Sequence, residues 1–454
     1  MREVFQRHLL RSPGGKEYQI RECQVSVRYR QATHCLLQYT LRLEEPGTGR
    51  EQTQWANGVI HAKSSRTRRK WEELRRSRPE RTVRGASTAF EPFFYVPELE
   101  MLVQVFPHDR WLPSLPLLIE GPPPELEPLL LARFGRDDWR TEAWDVEPVR
   151  YRAEKRITLR LTMRAREAAS DRTEEKRFYA KVYREEEKEE GEQIYRVLRA
   201  LWERAEAGGE GFTVGRPVAY LSSLRALIQE EAPGISLWDV LLGGDEANPA
   251  VREAARALAV LHLDEEVPMP RRRRPEEEVA TLKKRGETLR RACPQLGPEI
   301  EEIVGAVIAG FGEEGAPTAP THGDLHAQHI LLDGGRPALI DFDAFAEADP
   351  LPDVARVLAS LATAPHRASV PHDLANTPHR SPISHVRARE AAQTFAEEYF
   401  SHVPEAWRER LPLHYASAVL TIAGHPLRYL APGWPDKVEA MVKEAKDSLA
   451  GKFW

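Results

Sequence analysis

Through roughly the first half of the chain the apolar positions fall in short, partly alternating runs that read as strands, and beyond it they recur mainly at helical spacing. Residues 25–43 (VSVRYRQATHCLLQYTLRL) predict two strands about a short polar turn, rich in β-branched and aromatic side chains, and QWANGVIHA (54–62) predicts a third. The same succession returns at 147–165 (EPVRYRAEKRITLRLTMRA) with a third strand at 177–185 (RFYAKVYRE), an offset of 147 − 25 = 122. Arg28, Tyr29 and Arg30 match Arg150, Tyr151 and Arg152, and Arg42 matches Arg164. Either two basic hairpins are alike by chance, or one unit has been duplicated and its first copy has diverged. In the second case Gly58 stands about where the second copy has Lys181.

After the second copy, EEEKEEGEQIYRVLRALWERA (185–205) begins acidic and runs into a helix with Ile194, Leu198 and Leu201 on one face. Strands follow near 212–220 and 225–230, and APG (232–234) reads as a hinge. Helical spacing then dominates, in 249–264 and again after 385. Between the copies, 64–85 is basic and reads as helical or partly disordered. GPPPELEP (121–128) reads as a stiff linker, because proline fixes φ and withholds a donor. These shifts predict an α+β chain in three parts: an accessory, cap-like domain over 1–135, a β-rich part over 136–231 and a helical part over 232–454.

Composition narrows the picture only a little. With 454 residues, 41% apolar and 30% charged, the chain fits a multidomain globular protein. Sixty-five basic against 70 acidic residues leave a formal charge of −5, which gives no reason to expect nucleic acid or an anionic membrane as partner. The runs at 64–84 and RRRRPEEE (271–278) read as solvated helix faces. Three scattered cysteines without C-x-x-C spacing argue against a disulfide framework or a zinc site. No apolar stretch reaches the roughly 18 residues of a membrane span. The expectation is a cytoplasmic protein.

The densest chemistry lies in THGDLHAQHILLDGGRPALIDFDAFAEADPLPDVARVL (321–358). His322, Asp324, His326 and His329 crowd one polar loop; a strand, a Gly-Gly turn and a second strand then deliver Asp341. Two carboxylates 341 − 324 = 17 positions apart, at the ends of a hairpin, can converge on one site. Phosphoryl transfer needs such a pair, one to orient and deprotonate the acceptor hydroxyl and one to hold the metal that screens the phosphate oxygens.

This segment resembles the catalytic core of the aminoglycoside phosphotransferase and choline kinase-like family, in which H-G-D-x-H-x-x-N is followed by I-D-x-x and D-P-x-x-D-L-A. Here the matching residues are His322-Gly323-Asp324-Leu325-His326-Ala327-Gln328-His329, then Ile340-Asp341-Phe342-Asp343, then Asp349-Pro350 with Asp353. The resemblance implies a bilobal, protein-kinase-like fold. Asp324 would then be the catalytic base, Asp341 the principal magnesium ligand, and Asp353, with His322 and His326, the support of the catalytic loop. It implies ATP or GTP as donor, with Lys181 on its phosphates and Glu190 or Glu192 as the lysine's partner. Glu230, ending the strand before the hinge, joins the nucleotide-binding candidates, and His262 takes a structural place. The acceptor would be a small hydroxyl compound: an aminoglycoside, a sugar or an amino alcohol. The N-terminal domain, similar to the cap of maltokinase-type enzymes, would be free to dock a protein partner.

Two departures matter. His329 stands where the family has asparagine, and imidazole suits softer metals than Mg²⁺. It would favour Mn²⁺, reach metal through water, leave a one-metal site, or simply pack in the loop. The turn YRAEKR (151–156), in the place of the phosphate-covering loop, has no glycine. Its amides must approach a nucleotide differently, or Lys155 and Arg156 substitute for them. The rival expectation is a pseudokinase, a nucleotide-binding interaction protein with little transfer activity.

Overall fold

The computed structural model describes residues 1–8, 18–30, 34–45, 47–76, 90–135, 138–208, 211–243, 247–311, 316–367, 383–428 and 431–452. Part of the basic stretch expected at 64–85 (residues 77–85) lies outside them, as does the turn 31–33 of the first repeat. The chain divides into two compact units, Met1–Lys188 with Tyr220–Ile228, and Glu189–Ala219 with Gln229–Trp454.

The first unit opens with helix α1 (Arg2–Gln6) and a sheet of β1 (Gln19–Arg30), β2 (His34–Glu45), β3 (Arg50–His61), β4 (Phe93–Val96) and β5 (Met101–Val105), in the order β1-β2-β3-β5-β4. Helix α2 (Ser64–Arg76) lies between the third and fourth strands in sequence. Alternation places Tyr39, Leu41, Leu43, Ala56, Met101, Val103 and Val105 in one core with Phe5, Phe90 and Phe94. Two short helices, α3 (Leu115–Glu120) and α4 (Glu127–Leu131), lead to β6 (Trp139–Arg152), β7 (Arg156–Glu167) and β8 (Thr173–Tyr183). Every second residue of β7 from Ile157 to Ala165 is buried, the period-2 signature of a strand with one covered face.

Helix α5 (Lys188–Glu206) and strands β9 (Pro217–Leu221) and β10 (Ala226–Glu230) follow, and the second sheet runs β6-β7-β8-β10-β9. The two sheets thus share one strand order, with a helix between third and fourth strand in each. A strand order and helix placement shared by two sheets is what duplication of one unit would leave. The ladders also correct one pairing of the repeat. Thr158 pairs with Lys181 and Leu36 with Val59, so Val59, fully buried, holds the place of Lys181, and Gly58 is one residue off. A one-residue step matters because it changes the face a side chain takes. Gly58 has its own reason: a Cβ there would lie 2.4 Å from Met101 Sδ.

The second unit is mostly helical. It holds α6 (Leu237–Leu242), α7 (Asn248–His262), α8 (Pro275–Ala292), α9 (Gly297–Gly310), α10 (Leu351–Ala362), α11 (Ala364–Arg367), α12 (His385–Phe400), α13 (Leu411–Arg428) and α14 (Trp434–Leu449). Two small sheets interrupt it: β11 (Ile235–Ser236) with β13 (Ile330–Leu332) and β14 (Ala338–Leu339), and β12 (Ala319–Thr321) with β15 (Ala346–Ala348). The hinge expected at 232–234 leads into β11, where Gly234 (φ +104°) approaches the Leu332 backbone so closely that a Cβ would meet it at 2.6 Å. Among the described residues no helix is long and apolar enough to cross a membrane.

Candidate active site

Strand pairing brings the two motif loops side by side. Thr321 pairs with Ala346 and Ile330 with Leu339, so the loop carrying Asp324 and the turn carrying Asp341 leave adjacent strands of the same two small sheets. Asp324 is exposed. Asp341 is half-buried in the left-handed region (φ 71°, ψ 55°), a conformation that costs a non-glycine residue about 1–2 kcal/mol and that aspartate tolerates better than most.

Histidines tie the two loops together. His322, fully buried, donates from Nε2 to the carbonyl of Ile340, the residue before Asp341, at 2.8 Å. His329 donates from Nδ1 to the Asp324 carbonyl at 3.0 Å, and its Nε2 lies 3.5 Å from Asp341 Oδ2. The His326 ring lies against that of His329, tilted by 35° with centroids 3.7 Å apart, and accepts the Gln328 amide on Nδ1 at 3.3 Å.

Asp353, at the start of α10, accepts the Gly323 amide on both oxygens, at 2.9 and 3.1 Å. Burial pushes its carboxyl up, but His262 and Arg356 outweigh burial and hold it well below the usual carboxylate range. His262 Nε2 lies 3.6 Å from Asp353, and its Nδ1 meets the Tyr399 hydroxyl at 2.7 Å, so α7 and α12 both reach the loop through one imidazole. Asp349 caps α10 through the Leu351 amide and pairs with Arg410 at 2.6 Å, next to His414.

Sequence reasoning missed three residues here. Arg356 donates to the Gly323 carbonyl at 2.8 Å and to Glu278 at 3.2 Å. Arg273 donates to the same carbonyl at 3.3 Å, to the Ala344 carbonyl at 3.0 Å and to Glu278 at 3.1 Å. Glu278, held below its usual range by the two guanidiniums against the effect of burial, binds them together. The run RRRRPEEE is therefore not merely a solvated face: Arg273, 12% exposed, and Glu278, 20% exposed, grip both motif loops. The four-arginine run itself carried no signal separating Arg273 from its neighbours.

The donors suit a magnesium or manganese ion only in part. Among the described residues no group of three or more His, Cys, Asp or Glu side chains converges. Asp341 and His329 Nε2, 3.5 Å apart, are the pair the protein could offer, and Mg²⁺ commonly takes only one or two carboxylates and fills its octahedron with water and phosphate oxygens.

The other candidates are placed as follows. Lys181 is half-buried in β8 of the first unit, on the face opposite Phe178, Ala180 and Val182. In the second unit Glu190 and Glu192 are both exposed and flank Gly191, which takes the buried face of α5 with Ile194 and Leu198. Neither glutamate therefore lies on the buried face of α5, and Glu192 pairs with Arg196 at 2.6 Å. Glu230, half-buried, ends β10, its amide bonded to the Arg216 carbonyl at 2.8 Å.

In the turn 151–156 the Glu154 amide is taken by Asp109 at 2.7 Å and the Lys155 amide by the Arg152 carbonyl at 2.9 Å. Those two amides are occupied within the protein. The half-buried side chains of Arg152, Lys155 and Arg156 remain as the turn's cationic groups.

A family model described as the phosphotransferase enzyme family matches residues 165–415, which is 415 − 164 = 251 of the 454 positions. Similar solved structures include a choline/ethanolamine kinase family protein from Mesorhizobium loti (14% identity, TM-score 0.40, 63% of this chain and 84% of that one). A choline kinase from Cryptosporidium parvum is similar at 10% identity (TM-score 0.44, 68% and 89%). An aminoglycoside phosphotransferase from Streptomyces rimosus is similar at 17% identity (TM-score 0.37, 65% and 97%). No curated protein matches the chain. The α+β architecture expected from the sequence, with an added N-terminal sheet, is the one found. With its motif loops inside the matched span, the chain belongs to the phosphotransferase enzyme family.

Proposed function

We propose that this protein moves the γ-phosphoryl group of a nucleoside triphosphate to a hydroxyl of a small molecule, with Asp324 as the base and Asp341 as the metal ligand. What supports the reading is that one exposed carboxylate sits on a loop fixed at both ends. The Gly323 amide and carbonyl are bound by Asp353, Arg356 and Arg273, and His322 and His329 join that loop to the Asp341 turn. Catalysis of phosphoryl transfer is mainly positioning and charge stabilisation, so a rigid, exposed aspartate has the form its task needs.

In this reading Asp324 accepts the proton of the acceptor hydroxyl, and Lys181 with the cationic groups of the 151–156 turn binds nucleotide phosphates. Glu190 and Glu192 remain rival carboxylates of the nucleotide site, with Glu230 at the hinge. A divalent cation, Mg²⁺ or Mn²⁺, held by Asp341 with His329 beside it, would supply screening of the phosphate oxygens. The acceptor is an aminoglycoside, a sugar or an amino alcohol.

The test is nucleotide turnover screened across those three classes, repeated with Asp324→Asn. The substituted protein is expected to fold and bind ATP yet lose transfer by about 10²–10⁴-fold. Normal turnover would remove Asp324 from its role. One observation favours a binding protein instead: an imidazole stands beside Asp341 where a metal-ligating oxygen is expected. Thermal shift with ATP, with and without Mg²⁺ or Mn²⁺, separates the two, since a protein without metal-dependent stabilisation by ATP fits the binding reading.

A further inference from the structure

The N-terminal sheet belongs to no step of that reaction, yet with the loop after β5 it forms a buried polar network that closes on one place: the tip of the β6–β7 hairpin. Hairpin tips are ordinarily wet. Here Tyr151, Ala153 and Glu154 are buried at 1%, 2% and 7% exposure. Their partners Asn57, Gln104 and Asp109 are 0%, 0% and 2% exposed.

Each of these side chains has a partner far away in sequence, and only Asn57 Oδ1 and Arg110 Nε within the network are buried without one. Asp109 accepts the Tyr151 hydroxyl at 2.9 Å and the Glu154 amide at 2.7 Å on one oxygen, and the Trp111 amide at 2.8 Å on the other. Asn57 donates to the Tyr151 hydroxyl at 3.1 Å, and Gln104 to the Glu154 carboxylate at 3.1 Å. Arg110 pairs with Glu154 at 2.7 Å, and its own amide donates to Gln104 at 3.1 Å. Glu154 takes a left-handed backbone (φ +63°) that delivers its amide to Asp109.

Burying so many polar groups is unfavourable unless nearly all are paired, and a paired network fixes one geometry. Asn57 and Gln104 are themselves ladder partners on adjacent strands, so a single site on the first sheet presents both side chains.

We propose that the first sheet is an intramolecular clamp on this turn, with Asp109 as its hub, and that the clamp presets the turn for nucleotide. The clamp supplies by tertiary contacts the fixed shape that a glycine-free turn does not take from local sequence. It also turns the Glu154 carboxylate into the first sheet and so removes a like charge from the approach of phosphate. The inference rests on the proposed function in one respect, that this turn faces the nucleotide.

The test uses the full chain with Asp109→Asn, whose single acceptor oxygen cannot serve the donors now on both carboxylate oxygens, and with the milder Tyr151→Phe. Hydrogen exchange of the 151–156 peptide without nucleotide should quicken by roughly tenfold in Asp109→Asn, with the 321–358 peptides unchanged. The dissociation constant for ATP with Mg²⁺ should rise by roughly tenfold, and Tyr151→Phe should move both readouts the same way by less. A merely structural role would leave the affinity of the folded protein alone. Unchanged exchange overturns the clamp, and faster exchange with unchanged ATP affinity overturns its purpose. If the wild type bound no nucleotide at all, the proposed function would fall with that purpose, while the exchange arm would still decide whether the clamp exists.

Discussion

Two glycines with nearly the same backbone offer an internal control on how tightly the Asp324 loop is held. Gly323 has φ +80° and Gly334 φ +83°, so alanine at either position carries the same left-handed strain, about 1 kcal/mol. Their surroundings differ. A Cβ at Gly334 meets nothing within 4 Å, whereas at Gly323 it would lie 2.3 Å from the Ala344 carbonyl oxygen and 2.8 Å from Arg273 Nη2. The loop must then retreat by about 1 Å to reach ordinary contact, against bonds from Gly323 to Asp353, Arg356 and Arg273. Loosening one hydrogen bond to a charged group costs about 1.5–3 kcal/mol. Gly323→Ala should therefore destabilise by roughly 3 kcal/mol and Gly334→Ala by roughly 1 kcal/mol. Urea unfolding of the full-length variants, compared at a common m-value, reads the difference. A gap below about 0.5 kcal/mol, near the limit of additivity for such comparisons, would refute the account of the loop as clamped. In the transfer assay a displacement of about 1 Å should also lower turnover by about 10²-fold in Gly323→Ala alone.

Asp353 is held below its unfolded value, so its contribution is complete above the usual carboxylate range and is lost as pH falls toward the folded value. Asp353→Asn should be less stable at neutral pH and show a flatter acid limb; superimposable limbs in acid titrations of the two proteins would refute this. Arg273→Met should cost about 2 kcal/mol by depriving the Gly323 and Ala344 carbonyls of a donor. Arg272→Met, whose partner Glu347 lies 4.0 Å away with both side chains exposed or partly so, should cost about 0–1 kcal/mol, and chemical denaturation of both checks the contrast. His329→Asn replaces a nitrogen donor by an oxygen donor beside Asp341, so ATP-linked thermal stabilisation should move from Mn²⁺ toward Mg²⁺. An unchanged metal preference would place His329 outside the metal shell.

Local features were readable from the chain because their causes are local. The period-2 pattern of β7 and the spacing of the 321–358 motifs need no distant partner to be recognised. Arg273 was not readable. One arginine in a run of four is chosen by carbonyls 50 and 71 residues away, and nothing in the run marks it. The burial of the tip 151–156 was not readable for a similar reason, since its partners Asn57, Gln104 and Asp109 lie far away in sequence. On α5, helical spacing identified the buried face but not that Gly191, between two glutamates, would occupy it. The pairing of Gly58 with Lys181 is a slip the sequence itself corrects, since the offset of 122 that aligns β1 and β2 gives 181 − 122 = 59, and the ladders agree.

The divergence of the first copy follows the same physical logic. At the ladder position where the second copy keeps Lys181, the first has Val59, fully buried, which rules out a phosphate-binding cation there. Two positions before these, the first copy has Asn57 where the second has Tyr179, and Asn57 with its ladder partner Gln104 is turned to the other copy's hairpin. Buried amides on adjacent strands are unfavourable in a sheet that merely fills space, because hydrophobic side chains would pack there without unpaired donors. Their retention makes sense if selection acted on what they hold. If Lys181 binds nucleotide as proposed, the first sheet has only Val59 in its place, and its part is to hold the turn of the other copy.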